Sequence, residues 1–243
     1  NAKPTLWMAG DSIMQSYAPG DKPVTGWGEM LHTLAQGDAV CCAAHRADCP
    51  FPQEMRYELP GLVIDNCAMA GRSSKTFREE GRLDDIATHI RPGDLLVVSF
   101  GHNDANRAKA ERYVPADAFG ESLRPFWDAA RSHGAVCIFA SPVAMREFDE
   151  DSVCHPSFAA YREAMRAFAA EVGAPFIDLG AATAAANTAF GAERCKARYM
   201  WVGAKQDNAH QQNAGACRTA QAFVQQLLQD TTPALDVLRA SFK

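Results

Sequence analysis

Four short stretches combine residue types able to carry out acyl transfer: Gly10-Asp11-Ser12, Ala70-Gly71-Arg72, Gly101-His102-Asn103-Asp104 and Asp207-Asn208-Ala209-His210. A serine hydroxyl is a weak nucleophile until an imidazole accepts its proton. The imidazole in turn needs a carboxylate to fix its tautomer and to stabilise the imidazolium. The tetrahedral intermediate needs donors aimed at its oxyanion, and one such donor is worth ~3 kcal/mol. Ser12 is the candidate nucleophile, His210 the candidate base and Asp207 the orienting carboxylate. Asp207 lies three residues before His210, a spacing that lets a loop turn the carboxylate back on to the ring. The N–H groups of Ser12 and Gly71 and the side-chain amide of Asn103 are candidate oxyanion donors. A glycine suits such a donor because a side chain would obstruct the approach of substrate.

These residues need elements to position them. Leu6 to Ala9 is an uncharged apolar run ending at Gly10, as in a strand buried on both faces. Gly10 is expected to give a sharp turn that leaves Ser12 at the strand's carboxyl end, where ligands bind in open α/β sheets. Further strands are predicted at residues 62–66, 95–100, 135–140 and 175–179. Helices are predicted around 27–34, 83–90, 118–132, 158–172 and 214–228, with a kink or a helix start at Pro125. Alternating strands and helices imply a three-layer α/β/α fold around a parallel five-stranded sheet. No repeat or linker divides the chain, so one domain over residues 1–243 is expected. Residues 41–60 are rich in Cys, Pro and charge, and are expected to form a surface insertion. Residues 145–152, with Glu147, Asp149, Glu150 and Asp151, are expected to form a mobile acidic loop.

The 243 residues carry a net charge of −5, the opposite of the basic balance that a nucleic-acid surface requires. No apolar run reaches the length of a membrane span. Of eight cysteines, Cys67 and Cys137 lie in strand-like runs and are expected to be buried thiols. Cys41, Cys42, Cys49, Cys154, Cys195 and Cys217 lie in polar or loop-like context, where disulfides could form in an oxidising compartment. Cys42, His45 and Cys49 match no common zinc module.

Taken in order, the blocks resemble the SGNH hydrolase superfamily of GDSL-type esterases, whose Ser, Gly, Asn and His fall on Ser12, Gly71, Asn103 and His210. Within it the chain is most similar to the rhamnogalacturonan acetylesterases. The matching segments are Ala9-Gly10-Asp11-Ser12, Gly26-Trp27-Gly28-Glu29, Ala70-Gly71-Arg72-Ser73-Ser74, Glu80-Gly81-Arg82, Phe100-Gly101-His102-Asn103-Asp104 and Ala214-Gly215-Ala216. The resemblance implies a flavodoxin-like fold and removal of O-acetyl groups from plant polysaccharide, with no cofactor and no metal. It also implies a Ser12–Asp207–His210 triad and an oxyanion hole of Ser12, Gly71 and Asn103. After His210 comes Gln211-Gln212-Asn213, where the family commonly has a threonine and a serine-proline stretch, a difference that bears on substrate preference.

The implied partner is an acetylated polysaccharide or oligosaccharide, with no nucleic acid and no membrane; other acetylated sugars, xylan and lipid esters are alternative substrates. A non-catalytic carbohydrate-binding domain would be expected to lose at least one of Ser12, Asn103 and His210. The cysteine count, the missing start methionine and a polymeric substrate lead to the expectation of an exported protein, extracellular or periplasmic, with a cytoplasmic one as the alternative. His102 is a candidate for lining the site, and Tyr199, Trp201 and Arg198 for holding sugar rings or uronic-acid carboxylates; a packed histidine, core aromatic rings and a plain solvated basic face are the alternatives. Trp27 is expected to pack against the sheet. Asp104 is expected to be a structural hydrogen-bonding residue and Asp11 a brace for the turn.

Overall fold

The computed structural model describes residues 3–36 and 42–242. Its strands are β1 (Thr5–Gly10), β2 (Cys42–Ala44), β3 (Met55–Glu58), β4 (Val63–Asn66), β5 (Leu95–Ser99), β6 (Val136–Ala140), β7 (Phe176–Ile177), β8 (Tyr199–Val202) and β9 (Lys205–Gln211). Its helices are α1 (Trp27–Met30), α2 (Ser74–Glu79), α3 (Arg82–His89), α4 (Ala116–Ser132), α5 (Ala159–Val172), α6 (Leu179–Phe190), α7 (Ala192–Cys195), α8 (Asn213–Gln229) and α9 (Asp236–Ser241). The main sheet has seven strands in the order β2-β3-β4-β1-β5-β6-β7. The five from β4 to β7 are mutually parallel, while β2 and β3 join the β4 edge antiparallel.

Every residue of β1, β4 and β5 is buried, which explains the apolar runs of β1 and β5, while β4 also buries Asp65 and Asn66. Alternate side chains go to opposite faces. Leu6, Met8, Leu95 and Val97 share a cluster with Phe223 and Leu227 of α8 and Leu238 of α9. Trp7, Ala9, Leu96 and Val98 share another with Phe77 of α2, Ile86 of α3, Phe126 of α4 and Met165 of α5. Helix α4 continues through Pro125 and neither starts nor ends there.

Two expectations need correcting. The 42–60 part of the expected surface insertion adds β2 and β3 to the sheet, so seven strands stand where five were expected. Its polarity belongs to a buried ionic network: Arg46 and Glu54 are 9% and 0% exposed, and Arg46 pairs with Asp85 of α3. Residues 37–41 lie outside the described part of the chain. The 145–152 segment, expected to be a mobile loop, is fastened: the Arg146 N–H donates to Asn208 O at 2.7 Å, and Phe148 bridges Cys154. Asp149 Oδ1 accepts the N–H groups of Asp151 and Val153.

Cys49, Cys67, Cys137, Cys154, Cys195 and Cys217 are free thiols, the first five of them buried. Cys41 and the side chain of Cys42 lie outside the described part. Among the described residues, no group of three or more His, Cys, Asp or Glu is placed to hold a metal ion, and no helix is long and apolar enough to cross a membrane.

Candidate active site

Ser12 follows the central strand β1. A Cβ on Gly10 would lie 2.9 Å from Ser99 O and 2.8 Å from Met14 Sδ, so this glycine serves the close approach of β1 to β5. The sharp turn comes one residue later. Asp11 O accepts the N–H groups of Met14 and Gln15 at 3.2 and 3.1 Å, and Asp11 Oδ1 accepts that of Ile13 at 2.9 Å. Burial pushes the Asp11 carboxyl up to about 7 against the pull of the Ile13 N–H. The turn is tied to its surroundings by the Tyr17 hydroxyl, which donates to Ser12 O, and by Gln15 Oε1, which accepts the Ala70 N–H.

His210 comes from β9 rather than from a free loop. Strand β9 pairs with β8, but the register jumps: Gln211 faces Tyr199, while Asp207 faces the next residue, Met200. Residues 208–210 therefore bulge out of the ladder, and bulges re-aim side chains near functional sites. Asp207 holds the bulge, its Oδ1 accepting the N–H groups of Ala209 and His210, both at 2.9 Å. Its Oδ2 lies 2.8 Å from His210 Nδ1, and His210 Nε2 lies 2.9 Å from Ser12 Oγ. Burial alone would raise the Asp207 carboxyl, but the two N–H groups and the imidazole hold it below the usual range, and so ionised. The strand is anchored beside the serine, since the Thr25 N–H donates to Gln211 O at 2.9 Å.

Gly71 and Asn103 follow β4 and β5, the two neighbours of β1. All three loops thus emerge at the carboxyl ends of adjacent parallel strands, the edge where α/β sheets bind ligands. Gly71 has φ of +77°, a left-handed conformation that favours glycine. Among the described residues, neither the Ser12 nor the Gly71 N–H has a hydrogen-bond acceptor. Asn103 Nδ2 donates one proton to Arg72 O at 2.9 Å, leaving its second proton to aim elsewhere. Asp104 is fully buried, and its Oδ1 accepts the Ser74 N–H and hydroxyl at the start of α2. It is a structural residue, as expected.

The suggested substrate-binding residues divide. His102 Nε2 lies 2.9 Å from Val143 O, its ring against Phe158, and burial lowers its pKa to about 4, so it is neutral. Tyr199 is a correction: it is 1% exposed, with its hydroxyl between Asn187 and Ala144 O, so it offers no face to a sugar. Arg198 is another, because its guanidinium lies 3.8 Å over Phe190 and donates to Ala186 O, both on α6. Trp201 stays partly exposed, and its Nε1 donates to Asn208 Oδ1 between Asp207 and His210. Cations of Arg146 and Lys196 sit 4.8 Å from its ring. Gln211 and Gln212, where the family pattern differs, bond to Thr219 and Tyr199 O and so fasten the strand. Trp27 is wholly buried against Phe223. Arg112 had no motif to mark it, yet its Nη1 donates to both Gly71 O and Asn103 Oδ1.

A serine, histidine and aspartate in hydrogen-bonding line at the carboxyl edge of a parallel sheet define a site for acyl transfer, and the sequence agrees. Residues 8–216 match the GDSL-like Lipase/Acylhydrolase family, and the chain belongs to it, as the motifs implied. It is a carboxylic ester hydrolase. It is 33% identical to the rhamnogalacturonan acetylesterase RhgT of Bacillus subtilis, over 88% of this chain and 85% of that one. To the probable rhamnogalacturonan acetylesterase YesY of the same organism it is 34% identical, over 87% and 86% of the two chains. Among solved structures, protein YxiM of Bacillus subtilis superposes with a TM-score of 0.78 at 26% identity, covering 96% of this chain and 58% of that longer one.

Proposed function

We propose that this protein is a serine acetylesterase that removes O-acetyl groups from plant cell-wall polysaccharide, rhamnogalacturonan or a related pectin being its substrate. The observation that carries the chemistry is the unbroken line Ser12 Oγ–His210 Nε2, His210 Nδ1–Asp207 Oδ2, with links of 2.9 and 2.8 Å. The similarity to two relatives named for rhamnogalacturonan supports the choice of polymer. About a third of the His210 side chain is exposed (35%), which suits an acetyl group presented on a bulky chain better than a long acyl tail needing a closed apolar cleft.

In this mechanism His210, oriented by Asp207, takes the Ser12 proton as Oγ attacks the acetyl carbonyl. The oxyanion is held by the N–H groups of Ser12 and Gly71 and by the Asn103 amide. As the acyl C–O bond breaks, His210 gives its proton to the departing sugar oxygen, which leaves as a hydroxyl with the acetyl group on Ser12. In the second half it activates a water molecule that releases acetate and restores Ser12.

The test is acetate release from acetylated rhamnogalacturonan, homogalacturonan and xylan and from an aryl acetate, with the Ser12→Ala protein in parallel. Ser12-dependent release, fastest from rhamnogalacturonan, is the expected result. Preference for xylan would overturn the choice of polymer, and release that survives in Ser12→Ala would overturn the nucleophile.

A further inference from the structure

We infer that Arg112 is a positioning residue for the oxyanion hole, setting the orientation of the Asn103 amide and tying it to the Gly71 loop. This inference rests on the acetylesterase mechanism above. A side-chain amide has two similar ends, and only one orientation offers N–H to substrate. Here both ends are specified. Asn103 Nδ2 donates to Arg72 O, and Asn103 Oδ1 accepts from Arg112 Nη1, each at 2.9 Å. Rotating the amide by half a turn would set its NH2 against a guanidinium donor and its oxygen against a carbonyl oxygen. Arg112 thus removes the orientation in which Asn103 would present an acceptor to a negative charge.

The same Nη1 donates to Gly71 O at 3.1 Å, and so joins the loops after β4 and β5 that carry two of the candidate donors. A positive charge on the amide oxygen also polarises Asn103 and strengthens the N–H at its other end. Arg112 is itself held in place. Its N–H donates to Lys109 O, and the Val114 N–H donates to Asp104 O. The Tyr161 hydroxyl donates to Val114 O at 2.7 Å. The buried Arg112 Nε has no hydrogen-bond partner among the described residues. The side chain is therefore spent on the two loops through its Nη1 end.

The experiment is a double-mutant cycle on Arg112 and Asn103 using an aryl acetate, with Ser12→Ala as the control. Arg112→Ala is expected to lower kcat about 10- to 100-fold with KM within about threefold. In an Asn103→Ala background the same substitution should cost at least about fivefold less, because its target is gone. Arg112→Lys keeps the cation and should recover part of the rate; it also replaces Arg112→Ala in the cycle if that protein does not fold. Equal losses in both backgrounds, or a loss confined to KM, would overturn the inference alone. Hydrolysis that persists in Ser12→Ala would overturn it together with the mechanism beneath it.

Discussion

At the scale of single residues, Asp207 has two tasks that can be separated. Its Oδ1 holds the bulge through two N–H groups, and its Oδ2 faces His210 Nδ1. Asp207→Asn keeps an acceptor for the bulge but can place an NH2 against Nδ1. That favours the tautomer with the proton on Nε2, which cannot take the Ser12 proton. A fall in kcat of about 10³- to 10⁴-fold is expected, with an unchanged melting temperature and little change in KM. Tyr199 behaves in the opposite way. Tyr199→Phe leaves Ala144 O without its donor and leaves Asn187 Nδ2 only the weak Cys154 Sγ acceptor at 3.8 Å in the core. It should cost about 1–3 kcal/mol in chemical denaturation while leaving the ranking of polysaccharide substrates unchanged. Ser12, Gly71, Asn103, Asp207 and His210 were legible because each sits in a short block whose residue types answer one chemical need. Tyr199 and Arg198 were misread because an aromatic or basic residue near such a block looks the same whether it faces outward or inward. Arg112 gave no signal, since its role depends on a loop closing nine residues beyond Asn103.

At the scale of elements, the parallel strands were legible from short, mainly apolar runs alternating with helices, and the β2–β3 edge was not. Residues 42–58 look solvated because they are charged, yet several of these charges pair in the interior. Arg46 Nη2 pairs with Asp85, and its Nε lies 3.5 Å from Asp65. The Arg46 N–H donates to the buried Glu54 carboxylate, whose pKa burial pushes up to about 7. Arg46→Met would leave Asp65 and Asp85 without this cation in a dry setting, at a cost of about 3–5 kcal/mol. The denaturation midpoint should fall accordingly, with kcat of the folded protein within about twofold, because these contacts lie outside the Ser12–His210 machinery. Strand β9 was hidden for another reason: its polar sequence, Lys205 to Gln211, lacks the alternation of a half-buried strand. The bulge that re-aims His210 is the same feature that breaks the pattern.

At the scale of the whole molecule, buried carboxyls make stability depend on pH. Burial raises both Asp11 and Asp104 from 3.8 to about 7, and their hydrogen bonds only partly offset it. Between those values the folded protein holds more protons than the unfolded chain. Their contribution is therefore present in full below about 4 and is lost as pH rises through about 7. Asp178 works in the other direction. Burial would raise it, but its bonds to Arg162, Ala181 and Ser141 bring it down to about 2, so its contribution is lost as pH falls from 3.8 towards that value. His102, held down to about 4 by burial, opposes the raised carboxyls as pH rises through the ordinary imidazole range. With Glu54 also raised to about 7, three carboxyls outweigh it. Unfolding free energy should therefore decline from pH 5 to about pH 7 and level off by pH 8, each group adding a slope of up to ~1.4 kcal/mol per pH unit. Asp104→Asn keeps an oxygen for the Ser74 donors and cannot ionise, so it should remove one group's share of that slope. Denaturation curves of parent and variant at pH 5, 6, 7 and 8 decide the matter. Parallel declines would mean that Asp104 does not change its ionisation over this range, and that burial at the start of α2 costs its carboxylate far less than its surroundings imply.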